Sequence, residues 1–199
     1  MSSIEIVAVV FGFLCVFFTI RENIWCWPTG LVQVFLYIFV FYDAKLYSDV
    51  ILHIIYVFMQ FYGWYFWLHG GRERDEAKVT TMNGNWQVAS LLLSIAATLA
   101  LGHFMATRTD ASFPYADAFT TAFSLAAQWL MSRKKLESWF FWIAVDVVAI
   151  WVYYSKALHL TAGLYTAFLV MAIIGLLSWK KSWTADQIEN DAELPEPAV

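Results

Sequence analysis

Long apolar runs alternate with short charged segments along most of this chain. Four stretches contain no Asp, Glu, Lys or Arg: residues 24–42, 50–71, 79–107 and 157–179. Three more contain a single acidic residue each: residues 4–20, 111–132 and 138–155. About 20 mostly apolar residues are needed for a helix to cross the hydrocarbon layer of a bilayer. The pattern therefore predicts seven transmembrane helices.

The composition agrees with this pattern. Of the 199 residues, 61% are hydrophobic and 14% are charged, whereas soluble domains average about 45–50% apolar and about 25% charged residues. Segments of about ten residues that alternate apolar and polar positions, the pattern of a membrane β-barrel, are absent from the sequence. The chain is therefore predicted to be an all-α integral membrane protein.

The distribution of Lys and Arg predicts the orientation in the membrane, because cytoplasmic loops carry an excess of these residues. With the N-terminus outside, the inward-facing segments hold nine Lys and Arg residues and the outward-facing ones hold three. The nine are Arg21, Arg72, Arg74, Lys78, Arg133, Lys134, Lys135, Lys180 and Lys181. The N-terminus is thus predicted to lie outside and the C-terminus in the cytoplasm.

The chain also contains an internal repeat. Shifting it by 112 residues aligns residues 5–67 with 117–179 without a gap, and 11 of the 63 pairs are identical, among them Trp27 with Trp139 and Gly63 with Gly175. This register superposes three spans on three spans and leaves one span between them. We therefore expect a 3+1+3 layout of two parallel repeats, which is typical of one class of transporter.

The repeat divides the chain into four parts. We expect a first three-helix repeat over residues 1–68, a connector helix over 79–107, a second repeat over 111–181 and a cytoplasmic tail over 182–199. The acidic end of that tail, DQIENDAELPEPAV, predicts a solvated and disordered segment.

A buried amide in the second span is the first candidate for function. Pro28 suits the first turn of a helix, and Trp25 and Trp27 suit the headgroup region. Gln33 then lies about 7.5 Å further in, at about 1.5 Å per residue, and Tyr37 shares its helix face. Gln33 either binds a ligand or makes an interhelical hydrogen bond, the ordinary use of an amide in lipid.

The third and fifth spans add further polar candidates. Gln60 and Trp64 lie one turn apart and favour a pocket, although a purely structural stripe is the alternative. Gly63 and Gly175 are interpreted as points of close helix packing. Gln128 either lines the same cavity or marks the cytoplasmic end of its helix.

The sixth span combines tryptophans with an acid. Trp139, Trp142 and Asp146 are spaced three and four residues apart and share one helical face. A carboxylate at the centre of a membrane helix costs about 2.5–3.5 kcal/mol and normally faces the interior. Two indoles near an acid suit a flat, cationic ligand, because each cation–π contact contributes about 0.5–2 kcal/mol. The alternative is that both tryptophans are belt residues and that Asp146 bonds a neighbouring helix.

Other chemistry leaves no pattern in the sequence. The four histidines are scattered without metal-ligand spacing, and no nucleotide or cofactor motif occurs. A membrane enzyme acting on lipid head groups would need paired carboxylates or a metal cluster near one interface, which the sequence lacks. A non-catalytic membrane subunit would not need Gln and Asp buried in four different spans. We therefore predict a transporter that is not an enzyme and has no cofactor and no nucleic-acid partner.

Five motifs in order resemble a known family. WPTGLVQVFLY, KLYSD, YGWYFW, WFFWIAVD and LHLTAGLY are similar to the PnuC family of bacterial vitamin-precursor transporters. The resemblance implies a full-length SWEET-like fold of seven helices, a homotrimer in the inner membrane, and uptake of nicotinamide riboside by facilitated diffusion with alternating access. Related members are thought to carry thiamine, riboflavin or deoxynucleosides, so these substrates remain alternatives.

The resemblance also implies roles for particular residues. Trp139 and Trp142 stand where the family has its WxxW motif, and Gln60 and Trp64 match its Tyr-Gly-Trp segment. Asp146 occupies a position where the family is expected to have Asn or Asp. With Gln33, Tyr37 and Gln128, these residues form the expected substrate site.

Overall fold

A computed structural model describes residues 3–43, 45, 47–71, 75–109 and 111–192. Over these residues the chain forms seven α-helices: α1 Ser3–Ile20, α2 Cys26–Asp43, α3 Tyr47–His69, α4 Gly84–Arg108, α5 Pro114–Ser132, α6 Ser138–Ser155 and α7 His159–Ala192. Each helix matches one of the seven predicted spans, so the all-helical fold is confirmed. Arg72 and Arg74, counted for the orientation, and residues 193–199 of the tail lie outside the described residues.

Six of these helices are long and apolar enough to cross a membrane, and α5 is the exception. The 19 residues of α5 include Asp117, two threonines, two serines and Gln128, which lower its mean hydropathy. The helix compensates by packing against α3, α4 and α6, and its Ser124 accepts or donates a 2.6 Å hydrogen bond with Tyr56 of α3. A helix surrounded by protein needs a less apolar surface than one that faces lipid.

The helices are arranged as a ring. The contacts run from α1 to α2, α3, α5, α6 and α7 and return from α7 to α1, and α4 contacts only α5 among the described helices. α4 therefore packs outside a ring of six helices. The ring places faces of six helices around one central axis, and it is there that a path across the membrane would run.

One end of the ring carries the turn 21–25, the loop 70–83 and the turn 133–137, and we call it the loop end. Trp27 at the start of α2 packs over Gly63 of α3, and Trp139 at the start of α6 packs over Gly175 of α7. The two indoles meet Trp67 and Trp179 edge-on, with centroid distances of 5.3 and 5.4 Å and an interplanar angle of 86° in both pairs. The prediction that Gly63 and Gly175 are close-packing points is confirmed.

The same tryptophans join the two halves of the ring. The indole nitrogen of Trp67 donates to the carbonyl of Met131, which connects α3 to α5 (3.1 Å), and that of Trp179 donates to Thr19, which connects α7 to α1 (2.9 Å). Trp67 and Trp179 are 112 residues apart, as are Thr19 and Met131. Contacts within each half and between the halves thus recur at the offset found in the sequence.

The turns recur at the same offset. Positive φ angles occur at Glu22 (54°) and Lys134 (53°), and again at Lys45 (59°) and Ala157 (58°). Residues other than glycine rarely adopt positive φ angles. Their recurrence 112 residues apart therefore marks equivalent turns in the two halves.

Two expectations are corrected by the fold. Trp27 is 2% exposed and packs in the core instead of the headgroup region, because Gly63 leaves room for its ring; Trp25, 60% exposed, keeps an open position. The expected disorder from residue 186 onward is wrong as far as Ala192, because α7 continues through these residues. Trp183 packs against the core cluster at the loop end, which explains why the helix does not stop where the apolar run stops.

Candidate functional site

The buried polar side chains separate into two groups. Eleven polar or charged residues are buried among the described residues: Thr19, Thr29, Gln60, Ser94, Thr98, Ser124, Ser132, Lys134, Glu137, Ser138 and Asp146. Nine of them form hydrogen bonds. Gln60 and Asp146 form none with any residue that the structure describes. Buried polar groups are normally paired, because an unpaired one costs about 1–3 kcal/mol.

Gln60 lies near the middle of α3 and is 5% exposed. Its carboxamide is held against the backbone of α2 at Gly30, where a side chain would collide with Nε2 of the amide. An amide has two donor hydrogens and an acceptor oxygen. In this position they are available to a hydroxyl or carbonyl of a ligand.

Asp146 lies two turns into α6 and is also 5% exposed. The Asp146 carboxylate interacts electrostatically with the hydroxyl of Tyr165 on α7. The Tyr165 hydroxyl interacts in the same way with that of Tyr37 on α2. Three helices of the ring therefore bring polar side chains toward one region. An unpaired carboxylate there favours a cation.

Trp142 and Trp139 share a helix face but occupy different environments. Trp142 is half-buried and packs against two clusters, one at the loop end and one formed by Phe123, Phe141 and their neighbours. Trp139 is 2% exposed, its ring lies over Gly175, and its indole nitrogen has no hydrogen-bond partner among the described residues. The structure thus places Trp139 in the packed core, whereas Trp142 retains an accessible surface.

The remaining predicted residues surround this region at different levels. The Gln33 side chain lies against Gly12 of α1: a Cβ added to Gly12 would be 2.9 Å from Nε2 of Gln33. This contact fits the alternative that Gln33 serves helix packing. Tyr37 stacks with Phe41 at 5.5 Å. Trp64 packs against the cluster at the loop end, and Gln128 is half-buried on α5. These residues lie on α2, α3 and α5, the helices on which they were predicted.

A small cavity between α5, α6 and α7 contains residues that the sequence did not single out. It measures about 60 Å³ and is lined by Asp117, Thr120, Val145, Ala149, Val152, Tyr153, Lys156 and Tyr165. The rings of Tyr153 and Tyr165 stack at 5.2 Å. This space is large enough for a few water molecules and too small for a nucleoside. Asp117, in the first turn of α5, also lines this cavity.

No spacing along the chain could have revealed Tyr153 and Tyr165, because they lie on different helices and meet only in the fold. Their one signal in the sequence is position: Tyr153 is seven residues from Asp146 on α6, two helical turns away and on the same face.

The loop end is closed by an ion pair. The side-chain nitrogen of Lys134 lies 2.9 Å from a carboxylate oxygen of Glu22, donates to the carbonyl of Ala77 at 2.8 Å and sits 4.8 Å from the ring centroid of Trp67. Lys134 is buried and therefore depends on these partners. It joins the turns 21–25 and 133–137 to the loop 70–83.

A second set of bonds holds the same loop. One carboxylate oxygen of Glu137 accepts from the backbone N–H of Met82 and from the amide of Gln87, both at 2.8 Å. Thr80 and Lys135 form an isolated parallel bridge. Burial lowers the pKa of Lys135 and Arg133 acts in the same direction, whereas Glu137 opposes them. The loop end is thus closed by backbone and side-chain contacts together.

A ring of membrane-spanning helices with unpaired polar groups near its middle and a closed end is the architecture of a membrane transporter. The family model described as "Nicotinamide mononucleotide transporter" matches residues 2–181. The chain therefore belongs to that family, which includes the PnuC proteins, and it is a transporter and not an enzyme.

Individual relatives agree with this assignment. The chain is 28% identical to the nicotinamide riboside transporter PnuC of Neisseria mucosa over 88% of its own length and 71% of that protein. It is 21% identical to the riboflavin/roseoflavin transporter RibM of Streptomyces davaonensis, over 88% and 83%. Its fold is similar to the crystal structure of the vitamin B3 transporter PnuC, with a TM-score of 0.70, 27% identity, and coverage of 88% and 79%.

Proposed function

We propose that this protein takes up nicotinamide riboside across the bacterial inner membrane. The observation that carries the proposal is that Gln60 and Asp146 form no side-chain hydrogen bond with any described residue, although each is only 5% exposed. Both were expected at the substrate site from the sequence alone. Their unused bonding capacity fits a polar ligand.

The chemistry of the substrate fits these two groups. Nicotinamide riboside is a pyridinium cation that carries a carboxamide and ribose hydroxyls. Asp146 would neutralise the cation, the indole of Trp142 would stack on the ring, and the Gln60 amide would bind the sugar hydroxyls. Tyr37, Trp64, Gln33 and Gln128 would line the surrounding space, and Trp139 would support Trp142 from the core.

A phosphorylated substrate fits less well, although the family is described by nicotinamide mononucleotide. The described helices carry Lys and Arg at their ends and in the extension of α7, not beside Gln60 or Asp146. A phosphate in the ring would lose its hydration without gaining a cationic partner, and Asp146 would repel it. The riboside is therefore the better substrate.

The layout supports transport by alternating access. We infer that α1–α3 and α5–α7 are two parallel repeats, that α4 is the connector outside them, and that the fold is SWEET-like. The recurrence of Trp27–Gly63 as Trp139–Gly175, at an offset of 112 residues, supports this inference. A site between two such repeats can open to either side in turn.

The loop end would be the cytoplasmic gate. With the N-terminus outside, the turns that hold Glu22 and Lys134 face the cytoplasm. Their ion pair connects the two proposed repeats across the axis, so it must break, or move as a unit, when that side opens. No sodium or proton site is needed in this scheme, which favours facilitated diffusion. We also expect a homotrimer, by resemblance to the family.

The test is binding and uptake with purified protein in liposomes. Nicotinamide riboside should bind and enter the liposomes. Nicotinamide mononucleotide should bind at least about tenfold more weakly, because its phosphate would lose its hydration; this factor corresponds to about 1.4 kcal/mol of binding free energy. Equal binding of the mononucleotide would contradict the proposed site. Chemical conversion of the riboside by the purified protein would instead favour a membrane enzyme.

Riboflavin is the second candidate substrate, because one relative is a riboflavin/roseoflavin transporter at 21% identity. Riboflavin is uncharged and would leave Asp146 without a partner. The same liposomes should therefore be tested with riboflavin, thiamine and deoxynucleosides, and preference for a neutral ligand would favour this alternative.

A further inference from the structure

Gly30 in α2 lies against side chains of two neighbouring helices, α1 and α3. A Cβ built on Gly30 would collide with Nε2 of Gln60 on α3 and would lie 3.0 Å from the thiol sulfur of Cys15 on α1. Any side chain at position 30 would therefore displace the Gln60 carboxamide. The absence of a side chain at position 30 creates the space that the amide occupies.

The equivalent positions in the second half reverse this size relation. The residue 112 positions after Gly30 is Trp142, and the residue 112 positions after Gln60 is Ala172. Ala172 is buried in the cluster at the loop end, against which Trp142 packs. In the first half, the small residue Gly30 is on α2 and the large residue Gln60 is on α3. In the second half, the large residue Trp142 is on α6 and the small residue is on α7.

A glycine in a helix interior destabilises that helix by roughly 0.5–1 kcal/mol relative to alanine. Gly30 is preceded by Thr29 and followed by Leu31, both buried, and no turn or positive φ occurs there. Backbone freedom therefore does not explain the glycine. The contact with Gln60 does.

We propose that Gly30 is a positioning residue that seats the Gln60 carboxamide and thereby determines selectivity for a substrate bearing ribose hydroxyls. The proposal rests on the proposed function, in which Gln60 contacts the sugar. In the proposed site, the wall from the first repeat would present the Gln60 amide, seated against Gly30. The wall from the second repeat would present the Trp142 indole. The two walls then recognise the sugar and the ring of one ligand.

The test measures two ligands. Nicotinamide riboside carries the cationic ring and the sugar, whereas 1-methylnicotinamide carries the cationic ring alone. Gly30→Ala should weaken binding of the riboside about five- to thirtyfold, the loss expected for one displaced hydrogen-bonding group in a dry site. It should leave binding of 1-methylnicotinamide within about twofold. A general loosening of the site would weaken both ligands alike and would overturn the proposal.

A double-variant cycle tests whether Gly30 acts through Gln60. Gln60→Ala should weaken riboside binding to a similar extent, and Gly30→Ala/Gln60→Ala should bind as Gln60→Ala does, since coupled residues are not additive. This pair of variants remains informative if Gly30→Ala alone does not fold, because removing the amide also removes the collision with it. A further loss in the double variant would overturn the proposal.

Gly163→Ala is the matched control, because nothing lies within 4 Å of a Cβ added to Gly163 in α7. It should change neither ligand's affinity. If Gln60→Ala binds the riboside normally while remaining folded, the assignment of the site itself is wrong, and this outcome is distinct from failure of the role of Gly30.

Discussion

The two halves of the ring share their tryptophan–glycine contacts at the loop end and carry different side chains one turn further in. At the loop end, Trp27 over Gly63 and Trp139 over Gly175 have matching contacts and matching ring angles. One turn further in, Gly30 and Gln60 of the first half correspond to Trp142 and Ala172 of the second half. The shared positions hold the fold together, and the differing positions would give the proposed site two unlike walls.

Asp146 extends this contrast. Its counterpart in the first half is Val34, which is buried and apolar. A carboxyl group on α6 and a valine at the equivalent position of α2 would make the proposed site electrostatically asymmetric. An asymmetric substrate can then bind in one orientation, although the surrounding framework is nearly symmetric.

The largest expected effect concerns the shared tryptophans. Trp27→Ala and Trp139→Ala should each reduce the free energy of unfolding by about 3–5 kcal/mol, because each leaves a large cavity over a glycine. Thermal unfolding in detergent without ligand measures this. If Trp139→Ala unfolds normally and loses only riboside binding, Trp139 is a ligand contact and its equivalence to Trp27 fails.

The ion pair at the loop end is the next test. Glu22→Lys and Lys134→Glu should each destabilise the protein by about 1.5–3 kcal/mol, since each removes a charged hydrogen-bonding partner and adds repulsion. The double exchange should cost less than the sum of the two single changes. An additive result would mean that the two equivalent turns are not coupled.

Asp146→Val makes the second half resemble the first at this position. Riboside affinity should fall by about 1.5–3 kcal/mol, the usual value for a bond to a charged group. Stability without ligand should stay equal or rise, because an unpaired buried carboxylate is removed. Val147→Ala, at an exposed neighbouring position on α6, is the control. A fall in stability equal to the fall in affinity would assign Asp146 to helix packing.

The smallest effect is expected at Trp142. Trp142→Ala should weaken riboside binding by about 0.5–2 kcal/mol through loss of the cation–π contact, as measured by calorimetry. Trp142→Phe should recover part of the loss because it restores an aromatic face. Equal affinities for the wild-type protein and both variants would show that the Trp142 indole does not contact the ligand.

Much of the fold could be predicted from the sequence, because lipid imposes long apolar runs that are visible without the structure. The gapless offset of 112 residues also matched Trp27 with Trp139 and Gly63 with Gly175, but it did not predict that each tryptophan packs on the glycine of its own half. The end of α7 could not be located, because residues 182–192 are polar and remain helical through packing of Trp183 at the loop end.

The substrate site stays a prediction. Gln60 and Asp146 were singled out in the sequence because a polar group in an apolar run needs a partner, but the sequence could not distinguish the environments of Trp142 and Trp139. Both are tryptophans on one helix face, and only the position of Gly175 decides which one is enclosed. Tyr153 and Tyr165 were missed because their contact joins two helices.

The bond from Trp179 to Thr19 also sets an order of assembly. The two residues are 160 positions apart, and ribosomes deliver the N-terminal segment first, so this bond between α1 and α7 cannot form until the final helix is inserted. The ring can close only when synthesis is almost complete. A nascent chain stopped before Trp179 would keep an open seam between α1 and the missing helix, which quality-control proteases can recognise.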